Sequence, residues 1–235
     1  MNKQIVISLG GSLVFPSNKE EPDIKFVSEF AEFVKKEMLK VYDRIFIVVG
    51  GGKPARIYQQ SLKKALPHIS DRELDIVGIY ATYVNAFFVK AFFSDYEFIY
   101  EDIIKGKDYR NLPELTNEKI IVGAGGEPGY STDLDSVLLC ERYGCKELLN
   151  LSNTKGVYDK DPNRFSDARF YPKISWEEYL GIIPNEWKPG LSTPFDPKAS
   201  KLAQKLRIKV YIVKGDLINL EKITKEENFE GTIIS

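Results

Sequence analysis

A chain of 235 residues, 43% of them hydrophobic, has the length and apolar content for one sizeable core. Thirty-three basic residues against thirty-four acidic ones leave a formal charge of −1, which excludes a global field drawing the chain to nucleic acid or an anionic membrane. Cys140 and Cys145, the two cysteines, have no histidine nearby, which argues against a disulfide framework or a zinc site and for reduced thiols in a cytoplasmic protein.

The chain enters a strand directly, without an apolar leader, and no apolar run approaches the roughly eighteen residues that span a bilayer, so no membrane partner is expected. Ile5 to Leu9 is that first strand, and it ends in Gly10-Gly11-Ser12. After a polar turn from Pro16 to Pro22, the recurrence of Phe26, Phe30, Phe33, Val34 and Met38 predicts an amphipathic helix. A strand from Arg44 to Val49 follows. Strand, helix, strand in this order implies a parallel pair and an α/β architecture.

The second strand runs into Gly50-Gly51-Gly52-Lys53-Pro54-Ala55-Arg56. Glycines let backbone N–H groups approach a ligand closely, and the helix started by Pro54 turns its unsatisfied amides toward the same point. Together they make an anion cradle, with phosphate the expected guest and Arg56 one turn in, its planar fork matched to phosphate oxygens. The bland alternative is a tight strand-to-helix turn. Neither glycine loop fits G-x-G-x-x-G or G-x-x-x-x-G-K-[ST], which disfavours a dinucleotide fold or a P-loop. His68, the single histidine, falls in a polar connector and reads as a solvated loop residue.

Asp71 to Phe93 is the longest helical pattern, with Asp75, Gly78, Thr82 and Asn85 along one stripe. Its aromatics Tyr83, Phe87, Phe88, Phe92 and Phe93 read as core or subunit interface. Short strands are predicted over 97–100 and 119–123. A third glycine loop, 123–130, precedes a helix opened by Ser131-Thr132-Asp133, where Thr132 reads as the N-cap and Asp133 as an acid favourable to the helix dipole. A strand from Lys146 to Leu151, a turn-rich loop over 152–162, a helix from Asp196-Pro197 to Leu206, a strand from Lys209 to Val213 and a closing segment from Gly231 complete the chain.

The segments Gly10-Gly11-Ser12, Val48 to Arg56, Asp75-x-x-Gly78-x-x-x-Thr82-x-x-Asn85, Gly126-x-Pro128-Gly129-x-Ser131-Thr132-Asp133, Asn153-x-x-Gly156-Val157-Tyr158-x-x-Asp161-Pro162 and Asp196-Pro197-x-Ala199, taken in order, resemble the amino acid kinase superfamily and most closely its archaeal-type uridylate kinases. The resemblance implies a three-layer αβα sandwich around a largely parallel sheet, as one domain with a UMP-side lobe over 1–140 and an ATP-side lobe over 141–235. It implies ATP-dependent phosphorylation of UMP to UDP with Mg²⁺, and a homo-oligomer, a hexamer built as a trimer of dimers. Gly51, Asp75, Gly126, Glu127, Pro128, Gly129, Tyr130, Ser131 and Thr132 correspond to UMP-binding positions. Gly11, Ser12, Gly52, Arg56, Ser152, Asn153, Tyr158 and Asp161 correspond to ATP-side positions, and Arg56, Asp133, Lys198 and Lys53 are the catalytic candidates; no resident metal ligand is expected.

Two departures stand out. Ser8 occupies a position where many superfamily members carry a catalytic lysine, and Lys155 replaces an aspartate often found before the glycine of the ATP loop. Lys198, in the first turn of its helix where a cation opposes the dipole, is the candidate substitute for the missing lysine, with Lys53 its competitor and a solvated surface lysine the plain alternative. A non-catalytic nucleotide-binding assembly and a different small-molecule kinase on the same scaffold are the competing readings.

Overall fold

The computed structural model describes residues 3–105, 109, 111–112, 114–162, 164–185 and 193–235. In chain order the elements are β1 (Gln4–Leu9), α1 (Gly11–Val14), α2 (Ile24–Phe33) continuing through a π-turn (Val34–Met38) into α3 (Leu39–Val41), β2 (Arg44–Val49), α4 (Gly52–Ala65), α5 (Asp71–Ala91), β3 (Ile120–Gly123), α6 (Thr132–Tyr143), β4 (Glu147–Ser152), β5 (Val157–Tyr158), β6 (Phe170–Tyr171), β7 (Lys173–Ile174), α7 (Trp176–Ile182), α8 (Pro197–Leu206), β8 (Lys209–Lys214), α9 (Leu217–Thr224) and β9 (Thr232–Ile234).

The apolar runs become the centre of the molecule because both faces of the sheet are covered. The main sheet has the order β3-β2-β1-β4-β8-β9-β7, with β3 through β8 mutually parallel and β9 antiparallel to β8. Alternation along each strand divides the core in two. Ile5, Ile7, Leu9, Ile45, Ile47 and Val49 pack with Phe30, Val34 and Met38, with Ala86 and Val89 of α5, and with Leu220 of α9. Val6, Phe46, Val48, Leu148, Val210 and Ile212 face the other way, onto Val137, Leu138, Trp176, Tyr179, Phe195 and Ala199. The result is the α/β architecture that the strand and helix order predicts, in the three-layer α/β/α form that the resemblance implies.

Three expectations need correction. No strand forms over 97–100; Ile99 makes only an isolated bridge to Ile120, because the segment leaves α5 through a series of turns. The cap of α6 is Ser131, whose Oγ accepts the Leu134 amide at 3.2 Å, so Thr132 is the first helical residue and its backbone is already in the helix. α5 is also long and apolar enough, by length and composition, to cross a membrane, whereas the sequence reading found no such run. In the fold its Ala86 and Val89 lie in the core, and Asp75, Thr82 and Asn85 are buried beside them. The small β5-β6 sheet, β7, α7 and α9 have no counterpart among the predicted elements.

Candidate active site

The parallel strands all release their loops at one edge, the carboxyl ends, where open α/β sheets place ligands. Ser8 and Leu9 of β1 stand opposite Val48 and Val49 of β2, so Gly10-Gly11 and Gly50-Gly51-Gly52 leave the sheet side by side. They touch: a Cβ on Gly11 would run into the backbone of Gly50 and Gly52, and Gly52 has φ 61°, in the left-handed region. Side chains at these positions would force the loops apart. The Asn85 amide donates to the Gly50 carbonyl at 2.8 Å and fixes the second loop from α5. Neither α1 nor α4 has a side-chain cap, which leaves backbone amides as the polar groups of both loops.

The third glycine loop is tied down residue by residue. The Ala124 carbonyl accepts the Tyr109 hydroxyl at 2.6 Å, and the Gly125 amide donates to Thr82 Oγ1 at 2.7 Å. The Gly126 amide donates to Asp135 Oδ2 at 2.9 Å and the Gly129 amide to Asp75 Oδ2 at 2.7 Å. Lys198 Nζ donates to the Gly129 carbonyl at 2.9 Å, linking α8 to the loop. Glu127 and Pro128 form its exposed tip, with Tyr130 and Ser131 leading back into α6. The stripe Asp75, Thr82 and Asn85 therefore serves two glycine loops at once.

Asp133, in the first turn of α6, points back onto the sheet. Its Oδ1 accepts Ser8 Oγ at 3.0 Å and Asn150 Nδ2 at 3.2 Å, and its Oδ2 accepts the Asp196 amide at 3.2 Å. Ser8 and Asn150 are register partners on β1 and β4, so four elements meet at this carboxyl. Burial, then the neighbouring Asp196 carboxylate, push its pKa up to about 7, against the hydrogen bonds from Ser8 and the Asp196 amide. Burial raises Asp75 and Asp196 as well, with the Gly129 amide and the α8 amides pulling the other way. Asp196 caps α8 through Ala199 at 2.7 Å, with Pro197 at the first helical position as the sequence predicts.

Not every candidate joins this cluster. Lys53 Nζ turns to the Lys19 carbonyl at 2.6 Å and Glu20 Oε1 at 2.8 Å, and Arg56 Nη2 reaches Ser17 Oγ at 2.8 Å, so both cations lean toward the 17–20 segment. Ser12 follows Gly11 in α1 beside the second loop. On the other flank, the Gly10 amide donates to the Leu151 carbonyl at 2.7 Å, which brings Ser152 against the first glycine loop. Asn153 and Asp161 are exposed on the loop beyond it, and Tyr158 sits in β5 against the Phe170 ring, 5.2 Å between centroids. Lys155 pairs with Glu230 at 2.9 Å.

Two polar residues of the cluster, Asn150 and Asp135, escape the sequence reading. Asn150 interrupts the apolar run Leu148 to Leu151, and a polar residue in an apolar run is the signal that finds it. Asp135 follows Thr132 and Asp133 in the polar first turn of α6, where an acid is ordinary, so the sequence carries no such signal for it.

Glycine loops, helix N-termini and a lysine converging on one edge of a parallel sheet define a protein built to gather phosphate groups. Residues 3–214 match the amino acid kinase family. Uridylate kinase of Thermoplasma acidophilum is 34% identical over 239 residues, covering 100% of this chain and 97% of the relative. Uridylate kinase of Thermoplasma volcanium is 34% identical over 224 residues, covering 95% and 93%. The crystal structure of uridylate kinase from Archaeoglobus fulgidus superposes with a TM-score of 0.79 at 29% identity, covering both chains in full. The chain belongs to the amino acid kinase family.

Proposed function

We infer that the protein is a nucleoside monophosphate kinase that transfers the γ-phosphoryl group of ATP to UMP, giving ADP and UDP for pyrimidine nucleotide synthesis. The observation that carries this reading is the convergence of three glycine loops at the carboxyl ends of β1, β2 and β3, two of them held by one stripe of α5. Full-length similarity to uridylate kinases favours it over a non-catalytic assembly or a kinase for another small molecule.

In this reading an oxygen of the UMP phosphate attacks the γ-phosphorus as the bond to the β–γ bridging oxygen breaks, and the protein's task is to align the groups and offset their charge. Gly51, Gly52 and Arg56 hold the acceptor phosphate and the transferring group, Gly11 and Ser12 the ATP phosphates, and Lys198 the charge that develops between them, with Lys53 the competing cation. Asp133 orders Ser8, Asn150 and the start of α8 around that point. Asp75 accepts ribose hydroxyls with lone pairs beyond the one engaged by Gly129, while Gly126 to Thr132 read the pyrimidine edge. Ser152, Asn153, Tyr158 and Asp161 flank the ATP nucleoside. We assign the UMP side to residues 1–140 and the ATP side to 141–235, sharing one continuous sheet.

Among the described residues no group of three or more His, Cys, Asp or Glu is arranged to hold a metal ion. Mg²⁺ that arrives on ATP keeps most of its coordination on phosphate oxygens and water, so a dedicated cage is not required of the protein. Bound in that way it would offset phosphate charge. Cytoplasmic residence accords with free, buried Cys140 and Cys145.

Binding tests the acceptor assignment. Asp75→Ala is expected to weaken UMP by one to two orders of magnitude, about 1.5–3 kcal/mol for a hydrogen bond to a charged group, while ATP binding stays near the parent value. Equal weakening of both nucleotides in titration calorimetry contradicts the assignment.

A further inference from the structure

Asp135 is the most enclosed carboxyl beside the site, with none of its surface exposed. It projects from the first turn of α6 under the third glycine loop, and Oδ2 accepts the Gly126 amide at 2.9 Å while Oδ1 has no hydrogen-bond partner among the described residues. The charged and titratable groups that face it are Asp133 on its own helix, Glu127 on the loop, Asp196 at the cap of α8, and the Tyr109 hydroxyl. None of these is a cation. A carboxylate buried without a counter-ion is costly, whereas a neutral acid still offers a carbonyl oxygen to an amide. Burial first, then those carboxylates, raise its pKa well above the ordinary range against the Gly126 hydrogen bond.

We propose that Asp135 is a positioning residue for the acceptor nucleotide, a buried carboxyl that sets the height of the 124–130 loop by holding the Gly126 amide from beneath. This rests on the reading of that loop as the wall against the UMP base. The loop's neighbouring ties come from other elements: Thr82 holds Gly125, and Asp75 and Lys198 hold Gly129. Gly126 lies between them with Asp135 as its partner. Loss of that partner strands the amide and lets the segment between the two outer ties lift. The hydrogen bond that Asp135 makes goes to the acceptor-side loop, so the effect is expected on one substrate.

The test compares Asp135→Asn, which keeps an oxygen for Gly126 without a charge, with Asp135→Val, which does not. Asp135→Ser, too short to reach Gly126, replaces the valine variant should that one not fold. Steady-state kinetics should show KM for UMP within twofold of the parent for Asp135→Asn and raised about tenfold for Asp135→Val or Asp135→Ser, with KM for ATP unchanged. Hydrogen–deuterium exchange should show faster exchange at 124–130 only in the variants without the oxygen. Equal exchange in all variants, or a rise in KM for both nucleotides, overturns the proposal. An asparagine variant as impaired as the valine one overturns it as well. Because exchange does not depend on the acceptor, a protein that phosphorylates something other than UMP but shows the expected exchange pattern refutes the UMP reading and leaves the anchoring role standing.

Discussion

Asp133 receives hydrogen bonds from Ser8, Asn150 and the Asp196 amide, yet burial beside Asp196 holds its pKa up to about 7 rather than down. A raised acid pKa means that the folded chain binds a proton the unfolded chain has already released. The stability it confers is fully present below the ordinary value of 3.8 and is lost as the pH rises through about 7. Asp75, Asp135 and Asp196 shift in the same direction, so each acts in the same sense. Urea denaturation should therefore show wild-type stability falling from pH 5 to pH 7, by at most about 1.4 kcal/mol per pH unit for each group. Asp133→Asn should flatten that fall. An unchanged slope in the variant would mean that Asp133 is ionised throughout the range.

Lys198 and Lys53 divide at the same scale. Lys198 reaches the Gly129 carbonyl within the cluster, while Lys53 is engaged by Lys19 and Glu20. A lysine that acts on the transferring phosphoryl group stabilises the transition state more than either bound nucleotide. Lys198→Ala should then lower kcat by about 10²-fold with little change in either Kd, and Lys53→Ala should have a smaller effect. Near-normal kcat in Lys198→Ala with loss of activity in Lys53→Ala transfers the role to Lys53.

At the scale of elements, α4 and α5 pack together, and their outer faces carry exposed apolar side chains. Ile76, Tyr80, Val84 and Phe87 form a stripe along α5, and Ile57 and Tyr58 stand out on α4. Val84 is 69% exposed and Tyr80 67%, more apolar surface than a lone helix pair normally leaves to water. A subunit contact on this face is the prediction, in line with the homo-oligomer that the resemblance implies. Sedimentation at micromolar concentration should show an oligomer, and Tyr80→Glu with Val84→Glu should shift it toward the monomer. A wild-type chain that sediments only as a monomer of 26.8 kDa contradicts the prediction.

The elements differ in how readily the sequence shows them, and the reasons are physical. β1 and β2 are six residues each, and all but Gln4, Ser8 and Arg44 are apolar up to the glycine that follows, because both faces of the sheet are covered. β5, β6 and β7 are two residues each, too short for any periodicity to register. α7 is absent from the sequence reading although Ser175 and Glu178, whose mutual capping hydrogen bonds follow from their three-residue spacing, carry a signal for it. The 97–100 segment misleads because β-prone aromatics can serve a turn packed on the sheet as well as a strand. In the site, the glycine loops and Asp75 were visible from spacing. The Ser8, Asp133, Asn150 and Asp196 network was not, because it joins residues on four elements that only the folded sheet brings together.

For the whole molecule, the order β3-β2-β1-β4-β8 places the loops after β1 and β4 next to one another, with connections departing to opposite sides. That is the switch point at which open sheets form a crevice. One flank of it carries the third glycine loop and the α5 stripe, the other carries Ser152 and the loop toward β5. The proposed function brings its two phosphate-bearing substrates in from these opposite flanks to meet over Gly11 and Gly52. The measurement that tests this account most directly is ADP release by the purified protein with ATP and Mg²⁺ across UMP, CMP, dUMP, acetylglutamate, aspartate and isopentenyl phosphate. The account predicts the highest kcat/KM with UMP and UDP formed in equal amount to ADP. No ADP release with any acceptor, or efficient phosphorylation of acetylglutamate or isopentenyl phosphate with UMP left unchanged, would contradict it.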